Sequence, residues 1–257
     1  MANYLSPETI LHDLGITKPD EIDLEAIAFH CDAIVRYRPL DGCAARIIGR
    51  GSNAIISVDE RSPPRRRRFS IGHELGHWMR DRGKAVYVCQ KSDLRSKWGF
   101  KADPESRANE YAADLLMPRY MFKPAAHGMP MTFESVNELA DIFNTSKTAT
   151  AIRLVQLGTY PAIVACYGME GRQWYTPGPD VPNYIRPHIE LNHNTSAFNL
   201  LFGSIGNTRP VLTDADDWID HRDSYKYTIY EDSIKVSSNT VLTMLWWKDE
   251  SQLTDLM

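Results

Sequence analysis

Apolar positions in the first part of the chain recur with two different periods. Ser6-Pro7-Glu8, an N-cap followed by proline at N1, opens a short helix over Thr9 to Leu14, and Leu24, Ile27 and Ala28 mark a second within Asp23 to His30. The pattern then tightens to short β-type runs at Ala33 to Tyr37, Ala44 to Ile48 and Asn53 to Val58, punctuated by Gly42, Gly49 and Gly51. Ser62-Pro63-Pro64 starts a long helical stretch reaching Arg80, and an irregular polar segment covers Asp81 to Lys101. Another helix is predicted from Pro104 to Met117, with Asp103 as N-cap, Pro104 at N1 and Pro118 as its stop.

Beyond Thr132 two shorter helical patterns, Glu134 to Phe143 and Lys147 to Leu157, flank the turn Asn144-Thr145-Ser146, the layout of a helix-turn-helix. Past Tyr160 strand formers dominate. Ala162 to Tyr167, Tyr225 to Tyr230, Ser233 to Val236 and Thr240 to Trp247 read as strands, and Pro177, Pro179, Pro182 and Pro187 break the region between them.

Composition bounds the problem without solving it. With 257 residues, 43% hydrophobic and 24% charged, the chain has enough length for a sizeable core and is not of disordered type. A net charge of -4 does not predict a nucleic-acid or membrane partner by itself. Cys31, Cys43, Cys89 and Cys166 form no CxxC pair and read as reduced, buried thiols. No signal-peptide pattern opens the sequence and no apolar run approaches a membrane span, so a cytoplasmic protein is expected.

Chemistry concentrates at His73-Glu74-Leu75-Gly76-His77. On a helix, residues i and i+4 share a face, so His73 and His77 can point at one ion. Glu74 then sits beside the open coordination position, where a carboxylate can take a proton from metal-activated water. The bland alternative is an amphipathic helix with two half-buried histidines. A third ligand is needed, and Glu105, in the first turn of the helix capped by Asp103, is the leading candidate. Ala108, Ala112, Leu115 and Leu116 give that helix a small-residue face for close packing, and Asn109 lies one turn on, where it can hydrogen-bond a ligand. A carboxylate that merely answers the helix dipole is the competing account of Glu105. Glu110, Asp114, Asp81 and Asp93 are rival ligands.

Arg68-Phe69-Ser70-Ile71-Gly72-His73-Glu74-Leu75-Gly76-His77, followed by Glu105-Ser106-Arg107-Ala108-Asn109-Glu110-Tyr111-Ala112-Ala113-Asp114-Leu115-Leu116-Met117-Pro118, resembles the ImmA/IrrE metallopeptidases, whose pattern is RFTxAHExGH and then ExxANxFAxxLLMP. Ser70 and Tyr111 replace the usual Thr and Phe. The likeness is strong over residues 50 to 120 and weak to 158. It implies zinc ligands at His73, His77 and Glu105, with Glu74 as general base. It also implies cleavage of a partner helix-turn-helix repressor, which derepresses mobile-element or stress-response genes. Manganese is a second metal that such donors accept.

The expected architecture is therefore α+β. A zincin-like metallopeptidase domain occupies 1–128, a helix-turn-helix-like segment 129–159, and a β-rich C-terminal α+β domain of open role 160–257. Tyr87 and Tyr111 are the candidates for stabilising an oxyanion. The strand Asn53 to Val58 is expected to be an edge that pairs with extended substrate. Arg65-Arg66-Arg67-Arg68 reads as a solvated face with Arg68 on a carboxylate, rather than as a nucleic-acid contact. Lys147 and Arg153 are few basic residues for a DNA-reading helix. Trp218, Trp246, Trp247, Tyr225, Tyr227 and Tyr230 are read as core. The rival functions are a metal-binding regulatory module without hydrolysis and a DNA-binding regulator.

Overall fold

The computed structural model describes residues 5–81, 86–89, 104–203 and 209–255, with the backbone alone at 81, 86–89 and 254–255. Helices and sheets are mixed, and the chain divides into two compact units: residues 1–124 with 140–146, and residues 125–139 with 147–257. Among the described residues no helix is long and apolar enough to cross a membrane.

The first unit opens with α1 (Pro7–Asp13) and α2 (Leu24–His30), whose N-caps Ser6 and Asp23 accept from the N–H groups of Thr9 and Ala26 as their spacing predicts. Strands β1 (Ala33–Arg38), β2 (Ala45–Arg50), β3 (Asn53–Asp59) and β4 (Val86–Cys89) follow, and form one sheet in the order β1-β3-β2-β4. β1 and β3 are parallel; β2 is antiparallel to both β3 and β4. Two expectations are corrected here. β4 lies inside the segment read as irregular. β3 is not an edge: β1 and β2 already hold both of its sides, so its backbone has no ladder left for a substrate. A period of two reports which face is buried, not which strands flank a given one.

Ala33, Ala45, Ile47, Ala54, Ile56 and Val58 form the buried inner face, against which the long helix α3 (Pro64–Asp81) packs. Trp78 of α3 lies over Gly49 of β2, where a Cβ would stand 2.6 Å from the ring, and donates its indole N–H to the Cys31 carbonyl at 2.8 Å. Helices α4 (Pro104–Leu116) and α5 (Arg119–Ala126) complete the element order before α6 (Phe133–Ile142), whose length is divided between the units. The arginine run is absorbed locally. Arg65 pairs with Asp141 at 2.6 Å, Arg67 lies over the Tyr37 ring, and Arg68 donates to the Ile22 carbonyl at 3.2 Å rather than to a carboxylate.

The second unit holds α7 (Lys147–Leu157), β5 (Ala162–Gly168), β6 (Gly171–Pro177), α8 (Ser196–Phe202), β7 (Val211–Asp214), β8 (Thr228–Ser237), β9 (Thr240–Trp246) and α9 (Ser251–Asp255). Its five strands are antiparallel in the order β6-β5-β9-β8-β7. Trp218, Trp246 and Trp247 are core as expected, but Tyr225 is 66% exposed. The two strands read at 225–230 and 233–236 are one strand, β8, bridged by the buried acids Glu231 and Asp232.

Those acids are anchored at helix starts. Asp232 accepts the Phe133 N–H at 2.6 Å. Glu231 accepts from the N–H groups of Ser196 and Ala197 at 3.1 and 2.8 Å, from Trp218 Nε1 at 3.2 Å and from Ser233 Oγ at 2.8 Å. Burial nevertheless outweighs these donors and raises the Glu231 pKa. A folded-state value above the unfolded one gives stability that is complete below the unfolded pKa, about 4.3, and is lost as pH rises through the folded value. Relative to Glu231→Gln, the wild-type urea midpoint is therefore expected to fall as the pH is raised from about 4, and then to level off. Two midpoints that run parallel across that range would contradict this.

Candidate metal centre

Two helices build the site, and small residues set their separation. A Cβ on Gly76 of α3 would stand 2.9 Å from Tyr111 Cβ, 3.0 Å from Ala108 Cα and 3.2 Å from the Ala108 carbonyl oxygen of α4. At Gly72 the nearest atoms, Ala112 Cα and Cβ, are both at 3.3 Å. The small-residue face of α4 was legible; its glycine counterpart on α3, spaced i and i+4 inside the histidine motif, was the missed half of the same signal.

The two substitutions should therefore separate. Alanine in a helix interior gains about 1 kcal/mol over glycine, against about 1–3 kcal/mol for overpacking. At Gly76 the clash is with backbone and dominates, so Gly76→Ala lowers the urea midpoint and weakens metal binding. Gly72→Ala stays near neutral. Equal midpoints and metal affinities for the two variants would refute this account of the packing.

This approach brings His73, His77 and Glu105 together, with one ligand atom from each inside 4.8 Å of the others. His73 Nε2 is 3.1 Å from His77 Nε2 and 3.1 Å from Glu105 Oε2; His77 Nε2 is 3.3 Å from Glu105 Oε1. Both histidines are buried and Glu105 is half-buried.

His73 Nδ1 is 2.9 Å from Asn109 Oδ1, an acceptor, so that nitrogen carries the ring proton. Burial pushes the His73 pKa down and favours the neutral ring. His73 Nε2 therefore turns a lone pair toward an ionised carboxylate. A cation resolves that convergence. For tetrahedral zinc, with bonds of about 2.0–2.1 Å, ligand atoms lie about 3.3–3.4 Å apart. The His73–His77 contact of 3.1 Å and the carboxylate contacts of 3.1 and 3.3 Å, made by different Glu105 oxygens, are close to that separation, and the Asn109 contact is of the kind that holds a metal-binding imidazole in place.

Glu74 follows His73 on α3 and is fully buried. Glu110 and Asp114 do not join the cluster; they line a separate cavity with Arg80, Arg107 and Tyr111. Asp81, Tyr87 and Asp93 fall outside the described side chains, as does the proposed N-cap Asp103.

Residues 30–155 match the family model described as the IrrE N-terminal-like domain, a span that contains all four candidate residues. Among solved structures, a Mycobacterium tuberculosis transcriptional regulator is similar in fold, with a TM-score of 0.60 at 13% identity, over 96% of this chain and 76% of that one. None of the curated proteins matches the chain.

Proposed function

From the premise that residues 30–155 form an IrrE N-terminal-like peptidase domain, we propose that this chain is a zinc-dependent endopeptidase of zincin-like construction. Its metal ligands are His73, His77 and Glu105 and its general base is Glu74. The observation that carries this reading is the convergence of two imidazole nitrogens and the Glu105 carboxylate, with one ligand atom from each residue inside 4.8 Å of the others.

A divalent cation held there supplies Lewis acidity toward the scissile carbonyl and toward water. Glu74 takes one proton from the attacking water on a carboxylate oxygen as the new C–O bond forms. It returns that proton to the amide nitrogen as the C–N bond breaks, leaving a carboxylic acid and an amine, and the acid then gives up its remaining proton to the amine or to solvent. Asn109 keeps the His73 ring in the tautomer that presents Nε2 inward.

The substrate is a partner helix-turn-helix repressor, whose cleavage derepresses mobile-element or stress-response genes. The likeness to a transcriptional regulator favours a second reading, a metal-binding or DNA-binding regulator without hydrolysis. Against DNA reading by the helix-turn-helix-like pair α6 and α7 stands the burial of α7: Thr150 to Val155, Arg153 included, are buried, which leaves few side chains for a groove.

The deciding experiment measures bound metal by mass spectrometry and follows incubation with the repressor encoded beside this gene. One equivalent of zinc and a chelator-sensitive cut support the peptidase. Stoichiometric zinc with an intact repressor refutes it and leaves the metal-binding regulator.

A further inference from the structure

The sheet of the first unit has a second face, opposite the one α3 covers, and its residues are arranged in rows. Strand register places Ile34 of β1 beside Ile55 of β3, and Ile55 beside Ile48 of β2. These isoleucines are 45%, 47% and 44% exposed, an apolar line running across three strands. One step along the strands, the next row is Arg36, Ser57 and Arg46, and Arg38 follows on β1, its guanidinium on Ser57 Oγ.

Apart from Asp59, charge on this face is positive. Asp59 is the single acid within strands β1, β2 and β3, and it is taken by Arg61 at 2.9 Å. Among the described residues Arg36 and Arg46 have no ion pair, and Arg46 Nε has no hydrogen-bond partner. In a chain of net charge -4, a basic apolar face is a local feature that the global balance does not explain.

We propose that this face docks an acidic amphipathic helix of a partner protein. The dimensions match a helix laid across the strands. Neighbouring strands lie about 4.8 Å apart, so the outer isoleucines span about 9.6 Å, against about 10.5 Å for apolar positions i and i+7 of a helix. The arginine row stands about 6.7 Å to one side, beneath the flank where such a helix carries its carboxylates. A second copy of this chain is the wrong occupant, because it would set arginine against arginine. A nucleic acid is disfavoured because the centre of the face is aliphatic, with no aromatic platform for bases. The surface lies across the sheet from the candidate metal centre, so the inference does not depend on hydrolysis.

The test uses the full chain and a fluorescent synthetic helix of about 18 residues, with leucine at i, i+3/i+4 and i+7 and glutamate on the flanks. Anisotropy should show saturable binding that weakens with salt, and a lysine-flanked control should not bind. Ile55→Gln and Arg36→Glu should each weaken binding at least about tenfold (about 1.4 kcal/mol) with bound metal unchanged. Arg36 is exposed, so its variant keeps the test valid if Ile55→Gln perturbs folding. Absent binding, equal binding of the lysine helix, or affinity untouched by Arg36→Glu would each overturn the proposal. So would duplex DNA or anionic vesicles outcompeting the peptide at the same arginines.

Discussion

Glu74→Gln is expected to bind a full equivalent of metal and to cleave at least about a thousandfold more slowly in kcat/KM, within the 10²- to 10⁴-fold range of general acid–base catalysis. The substitution keeps size and hydrogen-bonding atoms but removes the basic oxygen, and the side chain lies in the buried interior of α3 rather than in the ligand triangle. Fold and metal content should therefore match the wild type, which isolates proton transfer. Two readouts are required: metal per chain and cleavage rate. A Glu74→Gln protein that cleaves at a rate within tenfold of the wild type would remove Glu74 from the mechanism. One that loses its metal would make the residue structural instead.

Glu105→Gln should give the opposite split. Glu105 contributes the negative charge in a cluster whose other two members are imidazoles. An amide oxygen there keeps the shape and loses the charge. Metal affinity is expected to fall by more than the roughly 10- to 100-fold typical of outer hydrogen-bond partners, and Asn109→Ala should stay within that milder range. Competition titration against a chelating dye gives both values. An Asn109→Ala loss equal to or larger than that of Glu105→Gln would invert the assignment of ligand and support.

Much of this site was legible because its chemistry is local. His73 and His77 share a helix face by arithmetic alone, and Glu105 was readable from a proline-marked helix start near the right position. What could not be read was distance: only the packed pair α3–α4 shows that Gly72 and Gly76 meet Ala112 and Ala108. Elsewhere the failures share a cause. Glu231 and Asp232 look like a break between two strands, because acids belong in turns unless a helix N-terminus waits to receive them. β6, Gly171–Pro177, was missed because its glycine, its proline and its polar residues mimic a loop, although it pairs with β5 from Gly171 to Pro177 around one register shift. Helix α5 was hidden because Pro118 precedes it and Pro124 lies inside it.

The tight seat of Gly76 on Ala108 also has a thermodynamic side. The same helix spacing that fixes the donor triangle is held from the other direction by whatever ion the triangle binds, so occupancy and folding of α3 and α4 are linked. At a free-ion concentration a hundred times the dissociation constant, that linkage contributes about 2.7 kcal/mol, a sizeable part of the 5–15 kcal/mol typical of a domain. Ion starvation would then act on this protein twice, lowering its activity at once and its lifetime against cellular proteolysis soon after.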